Sequence, residues 1–573
     1  MSGSLLIIFG VVVYALGYRF YSKYLAEKVF KLDKNYRTPA HEFNDGIDFV
    51  PTNKYVLFGH HFTSIAGAAP ILGPTIAVYW GWLPALLWVV FGTVFAAGIH
   101  DFGSIVISVR HDGNSMGTLA NKIIGKRAKV LFLFIILILL LMVNAVFAWV
   151  ISKLFIVNPS SILPVFIQIP LAVWIGYHVY KKKGKILIPS LIALVIMYVS
   201  AILSSNYSVL QLDLVGMLGG DEPTSLGFTG TEFSFFIWII VLMIYGYIAS
   251  VLPVWKLLQP RDFINSHQLI VGLAILYAGV FIMNPDVTAP AIQMNTDRSW
   301  FPLLFITIAC GAISGFHGLV SSGTTSKQLD KETDARFVGY LGSVGEGSLA
   351  LISLIAVATY FASEGDFLAS YNSFESANGQ GLTIFLSGAA NLAGAVGIPV
   401  EIGKTIVAVI VISFAATSLD TAMRLMRYII NELGKEYKVN ILTKKHVATS
   451  LGIGASALLA MLPQSDKGFG SGGFTLWPLF GTGNQLLAGI TLLIITIWLK
   501  VTKKNFIPSL IPMLFLLAMT IWAMVEQVFY IWPGQSDSGI LLFFGSIILF
   551  FAFWILVEGV RVVMAKTDEK EVE

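Results

Sequence analysis

The sequence predicts an all-α polytopic membrane protein with about fifteen transmembrane helices. Only 12% of its 573 residues are charged and 56% are hydrophobic, which leaves about half the usual charged share of a soluble protein. Each charge-poor segment is long enough, at about 1.5 Å per residue, to cross a hydrocarbon core of about 30 Å. These segments must be helical because lipid offers the backbone no hydrogen-bond partners. They begin near residues 4, 56, 82, 130, 164, 186, 231, 264, 301, 338, 404, 446, 475, 506 and 539.

Lys and Arg residues are distributed unequally between the loops on the two sides of these segments. One set of alternate loops holds 31 of the 37 Lys and Arg residues, and the other set holds three. Because basic loops remain cytoplasmic, we predict an N-terminus outside and a C-terminus inside the cell. The net charge of +4 is then a topology signal, which argues against a nucleic-acid partner. The basic loops are 19–54, 110–129, 181–185, 256–263, 324–337, 431–445, 500–505 and the tail after 560.

The chain contains no hydrophilic stretch long enough for a separate soluble domain. Residues 1–55 are expected to form a first helix, which lacks the features of a cleaved signal, and an amphipathic cytoplasmic loop. Segment 363–399 is acidic, contains neither Lys nor Arg, and is expected to be an external loop or a re-entrant element. The single cysteine, Cys310, excludes a disulfide framework, a four-cysteine zinc site and an iron–sulfur cluster held by thiolates.

The segment that begins near residue 56 is expected to contain a helix break. Pro70 and Pro74 each follow a small residue inside an apolar span, which predicts a discontinuous helix. Such a break persists in a membrane only where it faces protein or a water-filled cavity. A proline kink filled by a neighbouring helix is the alternative. If the break is a binding site, a substrate carboxylate would lie against the backbone of Gly67, Ala68, Ala69 and Pro70.

A second break is predicted near the cytoplasmic end of the segment that begins near residue 231. Gly246, Ser250 and Pro253 lie at its middle and inner end. Counted from the first broken segment, this segment is the sixth and runs in the opposite direction, as two inverted five-helix repeats would require. Paired discontinuous helices of this kind indicate a transporter's binding site. The stretch from Gly315 to Gly323 weakly repeats the Gly-x-His and later Gly of the stretch from Gly59 to Gly67. This weak repeat draws attention to His317.

Several ionisable residues fall inside the apolar segments, where charge is costly and usually functional. His61 and Asp101, with Glu346 and His317, could carry a coupling proton because imidazole titrates near neutral pH. The alternative is structural, with the histidines bonded to carbonyls freed by the breaks. Asp420 and Arg424, four residues apart, could neutralise each other. The residues that fall in the cytoplasmic halves of their segments are His60, His61, His100, Asp101, His317, Glu346, Asp420 and Arg424.

A hydroxyl-rich run offers an alternative coupling ion. Ser321, Ser322 and Thr325, with carbonyls of the first break, could form an oxygen cage for sodium. Hydroxyls also cap helix ends, so the run is equally consistent with a structural role. We predict neither a metal site nor another cofactor, because the histidines and carboxylates lack the spacings of metal-binding helices.

Several short strings occur together and in order along the chain. They are Gly59-His-His-Phe62, Ala66-Gly-Ala-Ala-Pro70, Gly73-Pro74, His100-Asp-Phe102, Arg110-His-Asp-Gly113, Ser314-Gly-Phe-His317, Ser321-Ser-Gly-Thr-Thr-Ser326, Ser418-Leu-Asp-Thr421, Leu476-Trp-Pro-Leu-Phe-Gly481 and Asn484-Gln-Leu-Leu-Ala-Gly489. With these strings the chain resembles the carbon starvation protein A family of bacterial inner-membrane transporters. The resemblance implies uptake of peptides during starvation, or of pyruvate with protons for close relatives. It also implies a LeuT-like core over residues 56–430, followed by four helices and a short cytoplasmic tail over residues 431–573.

We therefore expect a secondary active symporter, not an enzyme, that imports a short peptide or pyruvate by alternating access. Protons are the expected driving ion, and sodium is the alternative. An intramembrane enzyme or nutrient sensor, and a channel, are the other classes considered. The sequence predicts a lipid bilayer as the surroundings and no particular oligomeric state.

Overall fold

The computed structural model describes residues 1–222, 227–462, 468–535 and 538–564. Within these ranges the chain is helical, and extended pairing is limited to two isolated bridges, Ser2 with Asp286 and Thr52 with Leu329. The predicted all-α class is therefore confirmed. The end of the cytoplasmic tail, residues 565–573, lies outside the described residues.

Twelve helices in the described ranges are long and apolar enough to cross a membrane, and one bent pair brings the number to 13. The predicted count of fifteen is not confirmed. The segment near 301 is divided into two short helices, and the segment near 446 is a helix of only 17 residues. The helices are α1 Gly3–Val29, α2 Lys54–Ile65, α3 Ala69–Trp80, α4 Trp82–Val109, α5 Lys126–Val157, α6 Pro159–Tyr180, α7 Leu187–Asn206, α8 Gly230–Val251, α9 Leu258–Met283, α10 Trp300–Thr307, α11 Gly315–Val320, α12 Glu332–Ala358, α13 Phe374–Ala395, α14 Val400–Glu436, α15 Lys445–Met461, α16 Gly472–Val501, α17 Ile507–Ile531 and α18 Gly539–Val562.

The helices form two compact units. Unit one contains Met1–Ile136, Asn284–Gly388 and Gly481–Glu573, and unit two contains Leu137–Met283 and Ala389–Phe480. The predicted division at residues 55 and 430 stays a prediction. Segment 363–399 is mostly helical, because it holds Glu364–Ser370 and α13. Its expected location outside the membrane also stays a prediction.

The first predicted break is present. Helix α2 ends at Ile65, α3 begins at Ala69, and the two are bent by 47°. The break precedes Pro70, which occupies the first turn of α3, where a missing N–H costs nothing. Pro74 lies inside α3 and does not interrupt it, so its predicted contribution to the break is wrong.

The second break lies elsewhere than predicted. Helix α8 runs without interruption through Gly246 and Ser250, and Pro253 follows after its end. A methyl group on Gly246 would lie 1.9 Å from Sδ of Met423, so this glycine permits close helix packing. The second discontinuity is the stretch 308–314 between α10 and α11, where Gly311 has φ +100°. The sequence conceals it because glycine, not proline, makes this turn inside an apolar run.

The two broken helices of unit one pack antiparallel. Helix α2 contacts α11 and α3 contacts α10, so the breaks lie at the same level. A methyl group on Gly311 would lie 3.3 Å from Cα of Pro70, which brings the second break against the start of α3. The weak repeat that drew attention to His317 begins at Gly315, directly after the second break.

Gly73 allows α3 to approach α10 and gives a test of this crossing. A methyl group on Gly73 would lie 2.4 Å from the carbonyl oxygen of Thr307, which belongs to the backbone and cannot move aside cheaply. We expect Gly73→Ala to destabilise the protein by at least about 1–3 kcal/mol, the usual cost of overpacking. Thermal unfolding in detergent measures the effect. Gly379→Ala, where nothing lies within 4 Å, is the control and should not destabilise. Equal stability of both variants contradicts the crossing.

Candidate functional site

Unit one contains a buried group of histidines and carboxylates, which we name the histidine–carboxylate cluster: His100, Asp101, His317, Ser343 and Glu346. Nδ1 of His100 lies 2.7 Å from Oδ1 of Asp101, and Nδ1 of His317 lies 2.9 Å from Oδ2 of Asp101. Nε2 of His317 lies 3.2 Å from Oε2 of Glu346. Ser343 donates its hydroxyl to Oδ2 of Asp101 at 2.6 Å. The ionisable members therefore form a continuous chain from Glu346 to His100.

Three helices position the cluster. Helix α4 supplies His100 and Asp101, α11 supplies His317 directly after the second break, and α12 supplies Ser343 and Glu346 one turn apart. Glycines bring these helices together. A methyl group on Gly339 of α12 would lie 3.0 Å from Cα of Phe102 on α4. This glycine therefore serves close helix packing.

His61 lies beside the cluster and bonds elsewhere. Its Nδ1 lies 2.9 Å from Oγ1 of Thr325. A methyl group on Gly342, the residue before Ser343, would lie 3.3 Å from Nε2 of His61. Three of the four predicted proton-coupling residues, Asp101, His317 and Glu346, are thus in direct contact, and His61 is their neighbour. Their proton-coupling roles stay predictions.

The hydroxyls proposed for sodium have separate surroundings. Ser322 donates to the carbonyl oxygen of Gly318 at 2.7 Å and accepts from the backbone N–H of Met116 at 3.1 Å. Thr325 contacts His61. Ser321 is buried on the same π-helical turn. The sodium cage stays a prediction. Among the residues the structure describes, no group of three or more His, Cys, Asp or Glu side chains is arranged to hold a metal ion.

Asn484 holds the second break and was missed by the sequence analysis. Its Oδ1 accepts from the backbone N–H of Phe316 at 2.9 Å, and its Nδ2 donates to Oγ of Ser314 at 2.9 Å and to Sγ of Cys310 at 3.0 Å. A buried amide in α16 thereby satisfies polar groups that the break leaves without helical partners. The available signal was an Asn inside an apolar span, in one of the strings that carry the family resemblance.

Replacing Asn484 tests this role. Asn484→Ala leaves a buried N–H and a buried hydroxyl without their partner, and we expect a loss of about 1–3 kcal/mol in unfolding free energy. We also expect faster modification of Cys310 by a maleimide, because the break loosens around the only cysteine of the chain. Thr482 lies on α16, as Asn484 does, and donates its hydroxyl to Gln527. Thr482→Ala removes that hydrogen bond and is the control for maleimide reactivity. An unchanged labelling rate in Asn484→Ala contradicts the role.

Unit two contains a separate buried ion pair. Arg261 of α9 pairs with Asp420 of α14, and Tyr245 of α8 donates its hydroxyl to Oδ2 of Asp420 at 2.8 Å. Arg424 donates to the carbonyl oxygens of Ala249, at 2.9 Å, and of Leu252. Asp420 and Arg424 are therefore not a self-contained pair, and that interpretation is wrong.

The predicted substrate-binding residues fall in both units. Gly67, Ala68, Ala69 and Pro70 lie at the first break in unit one. Gly246 and Ser250 lie in unit two on the continuous helix α8, where Ser250 donates to the carbonyl oxygen of Met423 at 3.4 Å. Substrate was placed at Gly246 and Ser250 because a helix break was predicted there. The described residues Gly230–Val251 form a continuous helix without that break. Substrate binding by all six residues stays a prediction.

Comparison with known proteins identifies the family. The family model described as Carbon starvation protein CstA matches residues 2–370 and 368–523. The Peptide transporter CstA of Campylobacter jejuni is 33% identical over 92% of this chain and 80% of that protein. The Pyruvate/proton symporter BtsT of Escherichia coli is 31% identical over 91% and 81%, and the Peptide transporter CstA of Bacillus subtilis is 32% identical over 98% and 97%. The crystal structure of MhsT in complex with L-phenylalanine overlaps 90% of this chain and 98% of that chain with 12% identity and a TM-score of 0.47.

These relatives are named as transporters and not as enzymes, which agrees with the prediction that this chain is not an enzyme. The apolar helices and the relatives together make it a multi-pass membrane protein. With a matching family model over most of its length and relatives that are a third identical, the chain belongs to the carbon starvation protein CstA family.

Proposed function

We propose that the protein is a proton-driven symporter that imports a short peptide or pyruvate by alternating access during nutrient starvation. One observation carries the proposal, namely that the histidine–carboxylate cluster is attached directly to the second of two antiparallel broken helices. Ion coupling and substrate binding would then share one structural element. Two antiparallel broken helices are also what a LeuT-like core requires. We place the protein in the bacterial inner membrane with its N-terminus outside and its C-terminus in the cytoplasm, as the distribution of Lys and Arg favours.

The first break supplies a binding site for a carboxylate. The N-terminal end of α3 begins at Ala69, behind Gly67 and Ala68, whose small side chains leave the backbone approachable. Helix N-termini favour negative charge because their first N–H groups point outward along the helix dipole. Peptides and pyruvate both carry a carboxylate, and the names of the relatives include both substrates. The same end of α3 can therefore hold either one.

The cluster supplies a means of coupling. It contains two carboxylates, Asp101 and Glu346, with His317 between them, all buried. With both carboxylates ionised and the imidazole protonated, this trio carries one negative charge, and one further proton makes it neutral. Because uncompensated charge is costly inside a membrane, the added proton lowers the barrier to rearrangement of the broken helix. A proton taken up outside would then enter together with the substrate.

Uptake into proteoliposomes tests the function. An imposed inward pH gradient should drive accumulation of labelled pyruvate or of labelled alanyl-alanine. The gradient strengthens uptake because the proton moves down its gradient with the substrate. Abolishing the gradient with a protonophore should reduce accumulation to equilibration. Equal accumulation without the gradient contradicts proton coupling, and a requirement for sodium over choline at fixed pH assigns coupling to sodium instead, with Ser321, Ser322 and Thr325 as its ligands.

A further inference from the structure

One face of α4 carries a line of polar residues that leads away from the cluster. His100, Ser104 and Ser108 are spaced four residues apart, so they lie one above another on the helix. All three are buried. Ser108 donates its hydroxyl to the carbonyl oxygen of Asn114 at 2.8 Å, and Asn114 is half-buried in the loop after α4. The line therefore connects the cluster with the loop that the charge pattern places in the cytoplasm.

His100 forms the inner end of the line. Its Nδ1 contacts Asp101, and its Nε2 faces away from the cluster. A methyl group on Gly318 would lie 3.3 Å from Nε2 of His100 and 3.2 Å from Cγ2 of Thr491, so a side chain at position 318 would crowd this nitrogen. The titratable groups that act on His100 are Asp101 and His317, and Thr491 of α16 lies beside the same glycine, Gly318.

Three polar atoms along this line have hydrogen-bonding capacity that the described protein groups leave unused. They are Nε2 of His100, Oγ of Ser104 and Oγ1 of Thr491, and all are buried. Buried polar atoms are generally satisfied, so three together need an explanation. The coupling chain ends at one of them, His100, and the line from Ser104 to Ser108 continues from it. This arrangement fits proton transfer through hydroxyls and water better than it fits a dry helix interface.

We propose that His100, Ser104 and Ser108 form the path by which protons pass between the histidine–carboxylate cluster and the cytoplasmic side. Successive members are about 6 Å apart along the helix axis, a gap that one water molecule bridges. This inference rests on the proposed function, because a proton path has a use only if protons drive transport. It adds that His100 and Ser104 serve proton release without serving substrate binding.

The release step conserves protons and charge at His100. Asp101, protonated on Oδ1, gives its proton to Nδ1 of His100, while Nε2 of His100 gives its proton to a water molecule beside Ser104. The imidazole remains neutral and changes tautomer. Rotation about the side-chain bonds and exchange with water, which removes the Nδ1 proton and adds one at Nε2, then restore the Nε2–H tautomer with no net change in protons. The released proton proceeds past Ser108 to the cytoplasm. Asp101 becomes a carboxylate again, ready for the next cycle.

Two transport assays separate this role from a structural one. Net uptake driven by a pH gradient requires proton release in every cycle, whereas exchange of internal for external substrate at equal pH does not. The probe is whichever of labelled pyruvate and alanyl-alanine the wild-type protein accumulates. We expect Ser104→Ala to reduce net uptake about tenfold or more, with exchange retained to within about twofold, and His100→Gln to reduce net uptake by at least as much. Ser104→Ala is the gentler variant if His100→Gln does not fold.

Ser353→Ala is the matched control, because Ser353 is a buried serine of α12 whose hydroxyl donates to its own helix at 2.7 Å. It should change neither assay. If net uptake and exchange fall together in folded Ser104→Ala, or if neither variant lowers net uptake, the path is overturned. A wild-type protein that accumulates substrate without regard to the pH gradient overturns the proposed function and the path with it, and this failure is visible before any variant is made.

Discussion

Glu346→Gln is expected to reduce net uptake driven by a pH gradient by about 100-fold or more, the usual effect of removing a positioned proton-transfer group. Oε2 of Glu346 lies 3.2 Å from Nε2 of His317, at the end of the cluster opposite His100. A glutamine has nearly the same shape, so packing around this buried position is preserved. It cannot accept a proton, so the cluster loses one of its two protonatable carboxylates.

Substrate exchange distinguishes this variant from the path variants. Glu346→Gln fixes position 346 in a neutral form, so its exchange should become independent of pH, whereas exchange by Ser104→Ala should retain the pH dependence of the wild-type protein. Both are measured in proteoliposomes over a range of symmetrical pH values. Glu364→Gln, at an exposed position of unit one, is the control and should behave as wild type. Full net uptake by Glu346→Gln contradicts the coupling role of this residue.

Asp420→Asn is expected to lower the unfolding free energy by about 3–5 kcal/mol, the cost of breaking a buried ion pair. The substitution leaves Arg261 charged and buried, with only 3% of its side chain exposed. It also weakens the contact with the hydroxyl of Tyr245. Equilibrium unfolding in mixed micelles measures the change. The effect is independent of proton coupling in unit one, so it tests the structure of unit two alone.

A double substitution provides the control for this prediction. Asp420→Asn combined with Arg261→Gln removes both charges, and we expect it to be less destabilising than the sum of the two single changes because no uncompensated ion remains. Glu401→Gln breaks a pair with Lys404 in which the glutamate side chain is 79% exposed, and it should cost less than about 1 kcal/mol. Strict additivity of the two buried substitutions would show that Asp420 and Arg261 do not stabilise each other.

Local sequence signals were sufficient where the chemistry of one segment decides its structure. Charge-poor segments of spanning length predicted the helices, since lipid allows no other backbone arrangement. Pro70, preceded by small residues, predicted the first break, because proline removes a helical donor within the segment itself. The cost of intramembrane charge drew attention to Asp101, His317 and Glu346 before their contacts were known.

Contacts between distant segments decided the remainder. Gly246 and Gly311 are both glycines within apolar runs, yet one packs a continuous helix and the other turns the chain at φ +100°. The difference lies in the surroundings. Met423 occupies the space beside Gly246, whereas Asn484 supplies hydrogen bonds three residues beyond Gly311. Nothing within either segment distinguishes the two cases.

The amino-acid sequence by itself determined the helical class, the family and the position of the first break, because each depends on local composition or on motifs read in order. Only the tertiary structure decided which carboxylate pairs with which base. Asp420 pairs with Arg261 rather than being neutralised by the nearby Arg424, since side chains from different helices meet only after packing. The same reason explains why Asn484, far along the chain from the second break, could be recognised as its support only in the folded protein.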